Sequence, residues 1–346
     1  MARLRRPAWP SLPRRARRGV IAAGTGLAVA FGLVAAATAL PAGSVRYLGP
    51  PPVLVPIAAR PAAVESWRPA PLSLAEPDLG PGPPALVELG LTETTPLGAL
   101  PRTAADGTQP LARYARPAPG SCRRPCVAVL VTGLGLVEGL SERALALPAD
   151  VALSFSPYSA AARWQARARA AGHEVLLGLP LQPARALDDA GPLSLAAGQA
   201  APDAITALRR VLVQGSGYVA LDAEAGAFAA ATDAFAPIAG ELQARGLALV
   251  EIGDTALSGP ARTAGLAYAG AVPVDREPTP EAIDRALAGL AAAAVRDGRA
   301  LAAAGPLPVG LERLAAWIAG LPAQGIELVP PSRLLLDEAA PAVARR

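Results

Sequence analysis

The chain has 346 residues, of which 52% are hydrophobic, so it is long enough for two or three domains and one substantial core. All 32 basic residues are arginine, and the absence of lysine excludes a phosphate loop of the Gly-Lys-Ser/Thr type. Seven arginines lie in the first 18 residues, and the rest of the chain has 25 basic against 28 acidic residues. Nucleic acid is therefore not expected as a partner of the main body.

The N-terminal segment predicts a membrane anchor. Residues 1–18 form a basic tail, and the following 22 residues, 19–40, carry no charge. An apolar helix of that length spans a bilayer, and arginine-rich flanks stay in the cytoplasm. We therefore expect a single pass through the inner membrane with the C-terminal domain in the periplasm. A cleaved signal peptide is the alternative, because small residues follow the apolar run.

Residues 41–119 are interpreted as a Pro-rich periplasmic spacer. Of the 38 prolines, 17 lie between residues 41 and 120, and proline interrupts both helices and central strands. The second part, residues 100–117, contains turn residues and the aromatic Tyr114, so we expect it to lie against the domain that follows.

The two cysteines, Cys122 and Cys126, fit an exported protein. They could close a short disulfide loop, or Cys126 could simply begin a buried strand. The pair alone offers too few ligands for a metal site.

Short apolar runs alternate with helical segments in the domain that we place at residues 120–337, before a tail at 338–346. Strands are predicted at 126–131, 151–155, 174–179, 218–221, 247–252, 271–274, 300–304 and 326–329. Helices are predicted at 136–147, 158–171, 202–213, 232–245, 279–297 and 309–320. Buried strands that each precede a helix indicate a parallel sheet covered on both faces. The expected fold is α/β, a distorted (β/α) barrel of seven to eight strands; an open doubly wound sheet is the alternative.

Polar side chains concentrate where the predicted strands end, which is where parallel barrels place their active sites. Six of them are carboxylates, namely Asp222, Glu224, Glu251, Asp254, Asp275 and Glu277. Such a rim repels itself unless a cation, an arginine or a polyol ligand offsets the charge. A rim of this kind, with Tyr158 and Trp164 nearby, could bind a sugar. A solvated rim partly paired with Arg276 and Arg333 is the alternative.

From this rim we select candidate site residues. The candidate catalytic residues are Asp222, Glu224 and Asp275. The candidate substrate-binding residues are Tyr158, Gln182, Asp254 and Arg276.

His173 is the only histidine in the chain, and it precedes a predicted strand. It therefore falls on the face opposite the expected active site. A catalytic zinc site usually has three protein ligands. We expect His173 to cap or pack, rather than to bind a metal. A Ser-His-Asp triad is not supported either, because no G-x-S-x-G element occurs.

The order of several segments resembles the divergent polysaccharide deacetylase family, over roughly residues 120–336. These segments are VAVLVTGLGL, LPADVALSFSPYS, ARAAGHEVLLGLPLQP, GPLSL, GYVAL, ARGLALVE and GIELVPPSRLL. The family consists of exported bacterial proteins related to carbohydrate esterases that remove N-acetyl groups from glycans. The resemblance implies a distorted barrel and a divalent metal held by an aspartate and two histidines, with a neighbouring aspartate as base.

The sequence departs from the family pattern at the expected metal site. Thr132 and Gly133 replace the paired aspartates. Glu224 replaces the histidine of the Asn-His-x-Gly-Ser element, in which Gly226 is retained. The histidines of the Gly-His-Pro and Leu-His-Leu-Pro elements are replaced by Gly305 and Gly178. His173 matches the histidine of Gly-His-Glu-Val, which we interpret as a structural turn.

These substitutions leave the cofactor open. Glu224 is the one candidate metal ligand at an expected position. A rearranged site of Glu224, Asp222, Asp254 and Asp275 could hold a hard divalent cation, because oxygen ligands suit calcium, magnesium or manganese.

The leading hypothesis is a membrane-anchored periplasmic pseudoenzyme that binds a cell-envelope polysaccharide or scaffolds an envelope protein. The alternative is an active carbohydrate deacetylase or esterase with a rearranged carboxylate site. A third hypothesis is a protein-interaction module whose reach from the membrane is set by the spacer.

Overall fold

The structure is a computed structural model that describes residues 87–117, 122, 124–185 and 187–339. All of these residues belong to one unit of the chain, Leu74–Arg346. The predicted basic tail, the apolar segment 19–40 and the first part of the spacer lie outside the described residues. Within the described ranges, no helix is both long enough and apolar enough to cross a membrane.

The described strands form a hairpin and a larger parallel sheet. The hairpin consists of β1 (Thr92–Thr95) and β2 (Gly98–Pro101). The parallel strands are β3 (Cys126–Leu134), β4 (Ala152–Phe155), β5 (Val175–Gly178), β6 (Ala220–Ala223), β7 (Ala248–Ile252), β8 (Ala267–Pro273), β9 (Arg299–Ala304) and β10 (Glu327–Leu328).

Helices follow most of these strands. They are α1 (Pro110–Tyr114), α2 (Glu138–Leu145), α3 (Ala161–Ala170), α4 (Ala201–Leu212), α5 (Ala236–Ala244), α6 (Ser258–Ala264), α7 (Pro280–Asp297), α8 (Pro308–Gly320) and α9 (Pro331–Ala339). Proline marks the beginning of five of these helices. It lies in the first turn of α1, α4, α5, α7 and α8, where its missing N–H costs no hydrogen bond.

Seven strands, β3 to β9, close into a parallel barrel. The first strand pairs with the last, from Cys126 opposite Arg299 to Val131 opposite Ala304. Strand β4 pairs with β3 only from Leu130 onward, and β10 occupies the beginning of that same edge. The prediction of an α/β barrel with seven to eight strands is therefore confirmed. The open doubly wound sheet is excluded, because β3 and β9 would not pair with each other in an open sheet.

Alternation along the strands divides the apolar residues into two cores. Outward residues such as Val129, Leu153 and Leu221 pack against the surrounding helices. Inward residues such as Ala128 and Ala220 fill the interior, which small side chains suit because the barrel is narrow. Both faces are buried along β4 to β7 and along most of β3 and β9, which explains the unbroken apolar runs in the sequence, whereas most of β8 is only half-buried.

The bottom face of the barrel, at the N-terminal ends of its strands, is covered by segments from both ends of the domain. Tyr114 of α1 and Leu334 and Leu335 of α9 belong to the interior core. The N–H of Leu111 donates to the carbonyl of Gly246 at 3.0 Å, and Arg245 binds Glu93 and the carbonyl of Pro101. Residues 100–117 thus lie against the barrel, as expected.

Cys122 and Cys126 form a disulfide with their Cα atoms 6.1 Å apart. Cys126 is also the first residue of β3 and is fully buried. The cysteine pair therefore closes a short disulfide loop, and Cys126 also begins a buried strand.

Some element boundaries differ from the predicted ones. Strand β6 ends at Ala223 rather than at residue 221, so Asp222 lies inside the strand. Strand β8 begins at Ala267 rather than at residue 271, because its first residues pair with β7. Helix α6 and the β1–β2 hairpin were not predicted. Both are short, since each hairpin strand has four residues and α6 has seven.

Candidate functional site

His173 lies on the bottom face, away from the strand ends that carry the rim carboxylates. It is 1% exposed, and its Nδ1 and Nε2 lie 2.8 Å and 3.2 Å from the carbonyl oxygens of Val151 and Leu145. Burial lowers the pKa of His173, so the ring is neutral at pH 7 and donates from one nitrogen. The expectation that His173 caps and packs agrees with this geometry.

Glu174, the next residue, ties three segments together at the bottom face. Its carboxylate accepts the N–H of Arg116 at 2.7 Å, the N–H of Ser332 at 3.0 Å and the hydroxyl of Ser332. Burial raises the pKa of Glu174 to about 7, although these hydrogen bonds act to lower it. The Gly-His-Glu-Val and Pro-Pro-Ser-Arg segments therefore meet in a structural clamp, which sequence reasoning did not identify.

Asp222 lies inside the barrel near the strand ends. It is 6% exposed, and its Oδ1 accepts a hydrogen bond from the hydroxyl of Ser154, which is fully buried. Alternation along β4 and β6 points both side chains inward, in line with Ala152 and Ala220. Burial raises the pKa of Asp222 to about 6, and the Ser154 hydroxyl acts to lower it.

The sequence did not single out Ser154. The available signal was the alternation along β4, in which Ala152 and Ser154 are small and Leu153 and Phe155 are large and apolar. That spacing places a serine on the inner face of the barrel.

Three predicted residues meet in a groove at the mouth, the end of the barrel where the strands finish. Glu224, Asp254 and Arg276 all line this groove, which has a volume of about 410 Å³. All three side chains are exposed. The other groove-lining residues are Leu181, Pro183, Ala184, Arg185, Asp188, Ala225, Gly226, Ala229 and Ile252. Sequence reasoning missed Arg185 and Asp188, which belong to the long loop after β5.

Two glycines shape this groove. Gly226 has φ +54°, and a methyl group there would collide with the carbonyl oxygen of Gln182, which accepts the N–H of Ala227 at 2.8 Å. Gly253 has φ +92°, and a methyl group there would collide with the guanidinium of Arg276. Close approach of the backbone and a left-handed φ both favour glycine at position 226, whereas at position 253 the left-handed φ alone does so, because the Arg276 side chain can move.

Tyr158 and Gln182 hold the loop that follows β5. The Tyr158 hydroxyl donates to the carbonyl of Ala190 and accepts the N–H of Leu193 at 3.1 Å. The Oε1 of Gln182 accepts the N–H of Ala197 at 3.1 Å. These polar atoms are engaged within the protein, so a role in substrate binding stays a prediction.

Asp275 and Glu251 are held apart from the groove by their own hydrogen bonds. The Oδ2 of Asp275 accepts the N–H of Gly305 at 2.7 Å. Glu251 is fully buried, and its Oε2 accepts the Tyr268 hydroxyl at 2.6 Å and the N–H of Leu257 at 3.0 Å. Burial raises the pKa of Glu251. The structure therefore brings together Glu224, Asp254 and Arg276, while Asp222 and Asp275 lie in separate contacts.

Apart from Glu224, the residues at the expected metal positions provide no ligand that suits a divalent metal. Thr132 places its hydroxyl 3.4 Å from the carbonyl oxygen of Ala304, and Gly178 and Gly305 offer no side-chain donor. In the described ranges, no three His, Cys, Asp or Glu side chains are grouped so that they could hold a metal. We derive no catalytic step through a metal.

Several solved structures are similar to this chain. An uncharacterised protein from Agrobacterium tumefaciens C58 is 33% identical, with a TM-score of 0.65 over 68% of this chain and 98% of that one. Two mutants of BA3943, a CE4 family pseudoenzyme, one of them with restored enzymatic activity, are each 13% identical, with TM-scores of 0.35. They cover 63% and 62% of this chain, and 72% and 69% of their own lengths. No curated protein matches the chain.

The family comparison is independent of these structures. The model of the divergent polysaccharide deacetylase family matches residues 129–335, which include most of β3, all of β4 to β9, and the clamp formed by Glu174 and Ser332. The chain belongs to the divergent polysaccharide deacetylase family.

Proposed function

We propose that the protein binds a cell-envelope glycan through the groove at the barrel mouth, without the metal-dependent hydrolysis of related deacetylases. The observation that carries this proposal is the combination of an open, charged groove with side chains that cannot hold a metal at the expected positions. The groove at the strand ends is present, but most of the metal-ligating side chains of related enzymes are replaced. A groove of this kind is suited to binding or scaffolding rather than to hydrolysis by a metal-bound water.

We also propose that residues 19–40 anchor the protein in the inner membrane and that the barrel lies in the periplasm. The uncharged run and the arginines before it support this orientation. The disulfide between Cys122 and Cys126 is in keeping with an oxidising compartment. Protease added to intact spheroplasts should digest the barrel of a membrane-bound protein. Protection of the barrel, or its release as a soluble protein, would contradict the anchored topology.

Binding and metal content test the main proposal together. The purified full-length protein is dialysed against zinc, manganese and calcium, freed of unbound ions, and assayed for bound metal and for binding to insoluble peptidoglycan. We expect glycan binding that is unchanged by a chelator and no stoichiometric metal. Stoichiometric metal that disappears in Glu224→Gln would overturn the proposal in favour of a metallo-hydrolase.

Hydrolysis by a rearranged carboxylate site is a second candidate function. It is favoured by Asp222, whose pKa of about 6 lies nearer to neutral pH than that of an ordinary aspartate and so suits a general acid or base. Release of acetate from N-acetylated glycan, abolished by Asp222→Asn in a folded protein, would support this candidate. No acetate release from the wild-type protein would dismiss it.

A further inference from the structure

The groove carries charges that the protein itself leaves uncompensated. Arg185 and Asp188 neutralise each other through two hydrogen bonds of 2.9 Å and 3.0 Å. Glu224, Asp254 and Arg276 have no hydrogen bond or ion pair with any other described residue. The groove thus presents two free carboxylates and one free guanidinium, a net negative charge, to whatever occupies it.

The order of the strands arranges these charges. Glu224 follows β6, Asp254 follows β7 and Arg276 follows β8, and the three strands are neighbours in the barrel. Glu224 and Asp254 therefore follow adjacent strands and line the same groove, and Arg276 follows the strand on the other side of β7. Gly253 leaves the space that the Arg276 guanidinium occupies, so the guanidinium lies against the turn that carries Asp254.

The rest of the lining suits a sugar. Leu181 and Ile252 supply apolar surface beside the charged groups, and the volume of about 410 Å³ lies within the range of roughly 300–1,000 Å³ that is usual for small-molecule sites. Two adjacent carboxylates favour a ligand group that is positively charged and donates hydrogen bonds. An N-acetyl group offers no positive charge, whereas a free amino group does.

We infer that the groove binds a hexosamine unit whose amino group is free and charged, with the ammonium between Glu224 and Asp254 and a sugar oxygen accepting from Arg276. The ligand is thus a de-N-acetylated glycan, the product rather than the substrate of a deacetylase. This inference rests on the proposed glycan-binding function and specifies the ligand of that same groove. It also explains why a carboxylate at position 224 is useful without a metal.

The test compares two oligosaccharides of equal length, glucosamine tetramer and N-acetylglucosamine tetramer, by calorimetry with the full-length protein at mildly acidic pH, where the amine is protonated. We expect the free-amine oligomer to bind more tightly by about tenfold, because each charge-assisted hydrogen bond to an ammonium contributes to that preference. We also expect its affinity to fall with salt, since the carboxylates are exposed.

Variants locate the site. Glu224→Gln and Asp254→Asn should each weaken binding of the glucosamine oligomer several-fold and binding of the acetylated oligomer by a smaller factor, so that the preference for the free amine falls. Asp233→Asn is the matched control, because Asp233 is exposed and does not line the groove. All of these side chains are exposed, and a thermal melt verifies that each variant folds.

The outcomes separate the two proposals. Equal or tighter binding of the acetylated oligomer would overturn the free-amine inference while leaving glycan binding intact. Binding of neither oligomer, nor of peptidoglycan, would overturn both. A preference for the free amine that survives both groove substitutions would overturn the placement in this groove.

Discussion

The Asp222 carboxyl group is buried inside the barrel, where its ionised form is less stable than in water. Its pKa is raised from 3.8 to about 6, so the native state binds the proton more tightly than the unfolded state. The stability that this provides is present below pH 3.8 and is lost as the pH rises through about 6.

We therefore expect Asp222→Asn to be at least as stable as the wild-type protein at neutral pH, because its amide carries no charge and can still accept from Ser154. Urea denaturation between about pH 4 and pH 7 measures this. The difference in free energy of unfolding should grow in favour of the variant as the pH rises. A variant that is clearly less stable at neutral pH would show that the ionised carboxylate has a partner that stabilises it.

Ser332 joins helix α9 to the bottom face of the barrel through its hydrogen bonds to Glu174. Its hydroxyl lowers the pKa of Glu174, which burial raises to about 7. Ser332→Ala should reduce the free energy of unfolding by about 1–3 kcal/mol, because a buried carboxylate loses a hydrogen-bond donor.

The pH dependence distinguishes this effect from simple loss of packing. Glu174 is protonated well below pH 7 and ionised above it, so the loss in Ser332→Ala should be larger at about pH 8 than at about pH 5. Ser258→Ala is the control, because the Ser258 hydroxyl donates to the carbonyl of Thr255, three residues away, and touches no buried carboxylate among the described residues. An equal loss at both pH values would mean that the ionised carboxylate does not depend on the hydroxyl.

At the scale of elements, the turn after β6 fixes the position of the loop after β5. Gly226→Ala places a methyl group against the Gln182 carbonyl and forces φ +54° on an alanine. We expect a loss of about 1–3 kcal/mol in the free energy of unfolding, together with weaker glycan binding, because the groove wall must shift. Denaturation and calorimetry of the same variant measure both effects.

Gly240→Ala provides the matched control for this substitution. Gly240 lies within α5, and a methyl group there meets no other atom within 4 Å. The change should raise stability by up to about 1 kcal/mol, because alanine is the better helix former. If both variants lost stability equally, the close approach at Gly226 would not be the cause.

The elements that sequence predicted best are those with strong periodicity. The buried strands and the long helices α4, α7 and α8 were located within a few residues, because both faces of each strand and one face of each helix are apolar. The hairpin β1–β2 was interpreted as spacer, since its burial depends on Arg245 and Val213, more than 100 residues away.

Site residues were harder to predict than elements. The sequence identified which carboxylates follow strands, but it could not show which way each one faces. Glu251 turns outward to Tyr268, and Asp275 accepts the N–H of Gly305, so neither contributes a free charge to the groove. Whether a carboxylate is free or engaged depends on loop geometry, which periodicity does not encode.

For the molecule as a whole, closure of the bottom face is as important as closure of the sheet. Helix α9 supplies Leu334 and Leu335 to the interior, and Ser332 to the clamp. Deletion of residues 331–346 should therefore expose the interior and abolish cooperative thermal unfolding. A shorter deletion that begins after Ala339 retains α9 and should melt like the full-length protein. Cooperative melting of the longer deletion would show that α9 is dispensable.

The separation of the clamp from the mouth has an evolutionary consequence. His173, Glu174 and Ser332 secure the fold at one end of the barrel. Glu224, Asp254 and Arg276 stand exposed at the other end and have no hydrogen bond or ion pair with another described residue. Exposed side chains that stabilise nothing can be exchanged at almost no cost in stability. A lineage built on this barrel can therefore abandon one chemistry and acquire a new ligand by drift at the mouth, while the opposite end keeps the protein folded.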